Sequence, residues 1–283
     1  MKRYKETIMK FVFLLSASIS ILAVALICIF LFANGIPAMH EIGFFKFLSG
    51  TTWKPTSNIY GILPMILGSI YVTFGAIIIG VPIGILTAVF MARFCPKGLY
   101  KMLKPAIELL AGIPSVVYGF FGLMVIVPSI RNMFGGSGSS LLAASIVLGI
   151  MILPTIIEVS ESAIRAVPES YYEGSLALGV SHERSVFFSV LPAAKSGIMA
   201  GVILGIGRAI GETMAVIMVA GNQAIMPSGV LKGLRTLTAN IVIEMGYAAD
   251  LHREALIATG VVLFIFILII NLTFSMVKRR SVR

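Results

Sequence analysis

Six runs of roughly twenty or more apolar residues, at 11–33, 62–91, 105–130, 141–164, 197–221 and 255–277, limit what this chain can fold into. About 20 helical residues cross a hydrocarbon layer ~30 Å thick. The expected fold is therefore all-α and polytopic, with six membrane-spanning helices. Composition agrees: 58% of residues are hydrophobic and 12% charged, against about 25% charged in a soluble domain.

The basic residues set the expected orientation. Lys2, Arg3, Lys5 and Lys10 precede the first run, and Arg93, Lys97, Lys101 and Lys104 follow the second. Arg165, Arg184 and Lys195 follow the fourth, while Lys278, Arg279, Arg280 and Arg283 follow the sixth. The alternate loops hold only Lys46, Lys54, Arg131, Lys232, Arg235 and Arg253. Lys and Arg collect in cytoplasmic loops, so both termini are expected in the cytoplasm, and the net charge of +10 calls for no nucleic acid as partner; membrane lipid is the expected surround. The first run is too long for a cleaved signal peptide and reads as an uncleaved anchor. Residues 1–60 are read as this anchor span with the first outer loop, and 61–283 as a five-span core with a cytoplasmic loop at 165–196. Cys28 and Cys95 fall on opposite sides and match no metal spacing.

The fifth run carries the most telling chemistry. Gly201, Gly205, Arg208 and Glu212 are spaced 4-3-4 and share one face of a continuous helix. An ionisable residue at mid-bilayer costs at least ~2.5–3.5 kcal/mol and points to function. A guanidinium is permanently charged and fits oxyanions bidentately. Arg208 is thus expected to touch an anion, with the glycines leaving room beside it and Glu212 at i+4 holding and offsetting it. Gly205 and Thr213 complete the candidate pathway. The alternative is a buried Arg208–Glu212 pair that only braces helix packing.

Elsewhere the structural explanations lead. Phe44, Phe45, Phe47 and Trp53 suit an interfacial aromatic belt. Gly80-Val-Pro-Ile-Gly84 suits close helix packing, with a transport hinge as the alternative. Glu108 is in reach of Lys104 at i−4; Glu158 either lines an aqueous path or pairs with Arg165, and Glu161, nearer the cytoplasmic end, has no assigned role. Gly135–Ser140 is a flexible connector lacking the Lys-Ser/Thr of a nucleotide loop. The loop after the fourth run predicts a helix from Pro168 through Leu178, stopped by Gly179, then a second helix capped by Ser181 and running to Phe187, with Pro192 ending the unit. Tyr172 and Leu176 would form an outward stripe, suited either to a groove in a cytoplasmic partner or to the membrane surface. The apolar part of 236–245 is too short to cross and predicts a re-entrant or surface helix on the outer face.

Glu173-Gly174-Ser175-x3-Gly179-x9-Ser189-x-Leu191-Pro192 resembles the E-A-A-x3-G-x9-I-x-L-P motif of type I ABC importer permeases. Gly174, Ser175 and Ser189 depart from it, and the Glu, Gly, Leu and Pro keep register. Trp53-Lys-Pro, Tyr60-Gly-Ile-Leu-Pro64, Leu110 to Gly122, Gly207 to Val216, Gly221-Asn222 and Arg235 to Ile241 narrow the likeness to PstC-type permease subunits of phosphate ABC importers.

The resemblance implies a MetI-like permease fold and a non-enzymatic membrane subunit that pairs with a PstA-like permease. It further implies two copies of a cytoplasmic ATPase, which bind the ATP and magnesium this chain does not, and an extracytoplasmic phosphate-binding protein. Glu173, Gly174, Gly179, Leu191 and Pro192 would couple to the ATPase. Sulfate or molybdate, a PstA-type role, an ion-coupled transporter or channel, and a non-transporting membrane scaffold that signals phosphate status are the alternatives.

Overall fold

The computed structural model describes residues 2–281; the side chains of 2–5, 274, 275 and 277–281 lie outside the description. The basic termini in the charge count, Lys2, Arg3, Lys5, Lys278, Arg279, Arg280 and Arg283, fall there.

Six helices among the described residues are long and apolar enough to cross a membrane. The first, α1 (Lys2–Ile42), continues well past its apolar run and carries Pro37 inside it. A short helix α2 (Phe44–Ser49) follows, then a two-residue hairpin of β1 (Trp53–Lys54) and β2 (Ile59–Tyr60). The second span, α3 (Leu63–Val89), ends in a π-helical turn at Phe90–Phe94.

The third apolar run is not one helix. An amphipathic α4 (Lys97–Gly112) stops at Ile113, and α5 (Ser115–Phe121), a π turn at Gly122–Ile126 and α6 (Val127–Phe134) form the span. Pro114 explains the break, because a residue before proline is driven out of the α region. Ile113 accordingly has φ −68° and ψ 127°.

The centre of the bundle is α7 (Leu141–Arg165), packed on one side by α3 and on another by α10 (Leu191–Gly211). Glycines make both contacts close. A Cβ on Gly80 would fall 2.8 Å from the Gly149 carbonyl oxygen, and one on Gly84 2.8 Å from Ile156. Packing therefore accounts for the Gly80–Gly84 pattern.

Between α7 and α10 stand α8 (Glu169–Ala177), α9 (His182–Ser185) and a π turn at Val186–Val190. Beyond α10 lie α11 (Met214–Val219), a folded loop, α12 (Leu237–Met245) and α13 (Asp250–Ser281). The loop reaches the start of α7, where the amides of Ser140, Leu141 and Leu142 donate to the carbonyls of Val219, Lys232 and Val230. These bonds satisfy donors that a helix start leaves open.

The short helix predicted at 236–245 is not laid on a surface. In α12, Leu237, Thr238, Ala239, Asn240 and Glu244 are buried among α3, α11 and α13. Trp53 and Phe47 are likewise buried, so neither is part of an interfacial belt, whereas Phe44 and Phe45 are exposed. One carboxylate explains the placing of α12 and of Trp53. Glu244 accepts from Trp53 Nε1 at 2.8 Å and from the Arg235 guanidinium, and pairs with His252 Nε2 at 2.8 Å. The first loop, the loop before α12 and the start of α13 thus share one buried charge.

Candidate functional site

The fifth span breaks one turn beyond Arg208. α10 ends at Gly211, Glu212 takes an extended conformation (φ −70°, ψ 132°), and α11 starts afresh at Met214. Backbone freed inside a bilayer has to find other partners, and it does. Glu212 Oε1 accepts from the Ala215 amide at 3.1 Å, and the Glu212 carbonyl accepts from Thr238 Oγ1 at 3.1 Å. Thr213 Oγ1 donates to the Gly211 carbonyl at 3.3 Å.

The break overturns the expected Arg208–Glu212 pair, since i,i+4 neighbours meet only on an unbroken helix. Arg208 Nη1 instead donates to Thr155 Oγ1 on α7 at 3.3 Å. Among the described residues no carboxylate lies within ion-pair distance of Arg208. Nor do Gly201 and Gly205 leave space for the arginine. A Cβ on Gly205 would sit 2.8 Å from Ile156, and one on Gly201 3.0 Å from Ser160 Oγ, so both serve the α7–α10 contact. Arg208, Glu212 and Thr213 are all half-buried.

A second break lies at the entry to the third span. Tyr118 Oη donates to the Leu110 carbonyl at 2.7 Å, closing the end of α4 across the Ile113–Pro114 kink. α5 packs against α11, with Gly119 set against Ala215 and Met218. The start of the third span therefore lies beside the interruption of the fifth, and Arg208 is one turn from that interruption.

At the α8 end, helix boundaries fall close to expectation. Pro168 precedes α8, Gly179 has φ +80°, and the Ser181 hydroxyl accepts from the Arg184 amide to cap α9. Pro192 does not end the unit. The π turn leads directly into α10, and His182–Gly211 runs as one span with Pro192 in the first turn of α10. Proline inside a continuous helix removes one backbone donor, which a membrane helix tolerates by a local π adjustment such as the turn that precedes it.

The outward surface also differs from the predicted stripe. Tyr172 packs inward and shares a 2.7 Å hydrogen bond with His182 Nδ1. Tyr171, Leu176, Leu178 and Phe188 are exposed. Together with Gly174, Ser175, Ser189, Pro192 and Ala193, Tyr171, Leu178 and Phe188 line a groove of about 540 Å³. Glu173, Gly174 and Gly179 are exposed, and Leu191 is half-buried.

Of the three undecided glutamates, Glu161 is the buried one. It accepts from Tyr100 Oη at 2.7 Å, Arg165 Nε at 2.7 Å and Lys104 Nζ at 3.3 Å. The Tyr100 hydroxyl is pushed up by that hydrogen bond to Glu161. Burial alone would lower Lys104, yet the same carboxylate more than offsets it and raises the ammonium. Glu108 is exposed and lies 3.9 Å from Lys104. Thr155, Tyr100 and Trp53 are structural partners that spacing along one chain does not disclose.

With this geometry in place, similarity to known proteins becomes interpretable. The family model described as "Binding-protein-dependent transport system inner membrane component" matches residues 80–283. A probable ABC transporter permease protein, YqgH of Bacillus subtilis (strain 168), is 42% identical over 266 residues, covering 90% of this chain and 86% of its own. The phosphate transport system permease protein PstC of Mesorhizobium japonicum is 34% identical over 265 residues, covering 86% and 81%. A chain of the inward-facing MetNI methionine ABC transporter superposes with TM-score 0.65 at 20% identity, over 82% of this chain and all of that one (100%). A chain of a bacterial alginate ABC transporter gives TM-score 0.62 at 15% identity, over 94% of each. Those two likenesses establish the fold, a type I ABC importer permease fold, and no more. The chain is thus a multi-pass membrane protein belonging to the binding-protein-dependent transport system inner membrane component family, with PstC-type permeases among its relatives.

Proposed function

We propose that this chain is the permease subunit of an ATP-driven importer of inorganic phosphate in the cell membrane, with both termini in the cytoplasm. The observation that carries the reading is continuity: the exposed groove beside α8 leads through the π turn at Val186–Val190 into the helix bearing Arg208. Phosphate as the substrate is supported by the near-full-length likeness to proteins named as phosphate transport permeases.

On this reading a PstA-like permease supplies the other half of the path, and an extracytoplasmic binding protein delivers the anion at the α12 end. Two ATPase subunits seat against the α8–α9 loops and hydrolyse ATP. Glu173, Gly174 and Gly179 are exposed there for contact, while Leu191 and Pro192 pass movement into α10. Rocking of the helices alternates access to the two sides. Arg208 has spare donors beyond its bond to Thr155, and no carboxylate competes for them within ion-pair reach. It attracts the anion, with Thr213 beside it. The nearby Glu212 charge limits how long the anion stays.

The test is uptake by vesicles reconstituted with the partner subunits, with and without ATP. Arg208→Lys should preserve assembly and lose at least about tenfold of uptake, since ~1.4 kcal/mol is a factor of ten and lysine lacks the bidentate fork. Full uptake by that variant would rule out the bidentate contact, and equal uptake without ATP would favour the ion-coupled alternative.

A further inference from the structure

The direct route from the α8–α9 loop into α10 leaves a second set of contacts unused. The π turn at Phe90–Phe94, at the end of α3, touches the loop and its neighbours in several ways. Arg93 Nη1 contacts both carboxylate oxygens of Glu169, at 3.1 and 3.2 Å. Its guanidinium lies 5.6 Å over the Tyr172 ring. Phe94 meets His182 edge-on at 4.8 Å, and His182 is hydrogen-bonded to Tyr172.

The same turn is fixed to the bundle from the other side. Arg165 Nη2 donates to the Met91 carbonyl at 2.8 Å, while its Nε holds Glu161 and its guanidinium covers Tyr100 at 4.5 Å. Three residues of this turn, Met91, Arg93 and Phe94, therefore join α8 and α9 to α7 and, through Arg165 and Glu161, to α4.

An exposed ion pair alone would hold little. Glu169 is 57% exposed, but the Arg93 side chain is only 12% exposed and is sandwiched between carboxylate and ring. Its Nε is buried without a hydrogen-bond partner. An arginine desolvated this far keeps its place only while its other contacts persist, so α8 cannot shift away from α3 without a cost at Arg93.

We propose that Arg93, Tyr172 and His182 are positioning residues that make the loop and the inner end of α3 one moving body. A push on the loop then displaces the α3–α7 pair together with α10, so both packed faces around Arg208 move in one step. The proposal rests on the importer reading, in the sense that an ATPase supplies the push. Contiguous packing of this kind transmits coupling only if it is stiff, and that is measurable.

Two readouts separate the proposal from the reading beneath it. The first is a spin-label distance between positions 90 and 178, both exposed, with Cys28 and Cys95 replaced by serine, in the assembled complex with and without nucleotide. It needs no transported substrate. The distance should stay the same in both states, and should broaden in Arg93→Glu. A wild-type distance that changes with nucleotide overturns the proposal whatever the substrate is. The second is phosphate taken up per ATP hydrolysed. Arg93→Glu and Glu169→Arg should each lower this ratio about tenfold, inside the 5–150-fold range of typical coupling energies. The double reversal should regain most of it. Where a reversal prevents assembly, Tyr172→Phe removes one hydroxyl and should still lower the ratio measurably. An unchanged ratio in Tyr172→Phe or in an assembled single reversal, or no recovery in an assembled double reversal, overturns the proposal. Absence of phosphate uptake by the wild type defeats the substrate reading alone, because the distance measurement stands apart from it.

Discussion

At the scale of single residues, Arg208 and Glu212 have separate jobs. Arg208 reaches across to Thr155 on α7, while Glu212 closes the gap between α10 and α11 by accepting from Ala215. A side chain that accepts from a backbone amide three residues on is a helix cap, typically worth about 0.5–2 kcal/mol against alanine. Glu212→Ala should lower thermal stability in detergent by that order, and Glu212→Gln, which keeps an acceptor oxygen, should lower it much less. Equal losses in the two variants would show that charge, not capping, fixes this residue. The sequence makes both residues conspicuous, since charges inside an apolar run are rare. It does not reveal that they part company, because Gly211-Glu-Thr213 contains no proline and the i,i+4 rule presumes the helix it is used to describe. Thr155 carries no marking at all: its role depends on a neighbour 53 positions away.

At the scale of elements, small residues decide which helices meet. Gly80 and Gly84 on α3, and Gly201 and Gly205 on α10, take the two flanks of α7. Overfilling a packed interface costs about 1–3 kcal/mol, so Gly205→Val should lower the melting temperature in detergent and loosen α10 from α7. An unaffected melting temperature would mean that α7 yields freely at Ile152 and Ile156. Apolar runs were legible as spans because length alone decides crossing. The interruptions were legible only in part: Pro114 does signal the end of α4, and the three π turns each end two residues before a proline, Pro96, Pro128 or Pro192, whereas the break after Gly211 leaves no local mark. The inward turn of Tyr172 escaped for another reason. Its partner His182 comes after the chain reverses at Gly179, where a period of 3.6 no longer applies.

At the scale of the whole molecule, two buried carboxylates lie toward opposite ends of the bundle. Glu161 gathers Tyr100, Lys104 and Arg165 toward the α8 end, and Glu244 gathers Trp53, Arg235 and His252 at the other. Removing one member of a buried charge pair typically costs about 3–5 kcal/mol, because the remaining charge is stranded. Glu244→Ala should destabilise the fold by that order, read as a shift in the unfolding transition, and should expose Trp53 to quenchers. A transition as high as the wild type's would show that Arg235 finds another acceptor. Glu244 also fixes an order of events during synthesis. Trp53 and its acceptor are 191 positions apart, and at about 5–20 residues per second the wait is roughly 10–40 s. α1 waits too, since α13 is the helix it packs against. The first span must therefore sit in the membrane as a lone helix, and Trp53 without its acceptor, until the later chain arrives. α13 closes this side of the molecule, so a truncation within it would leave α1 without the helix it packs against.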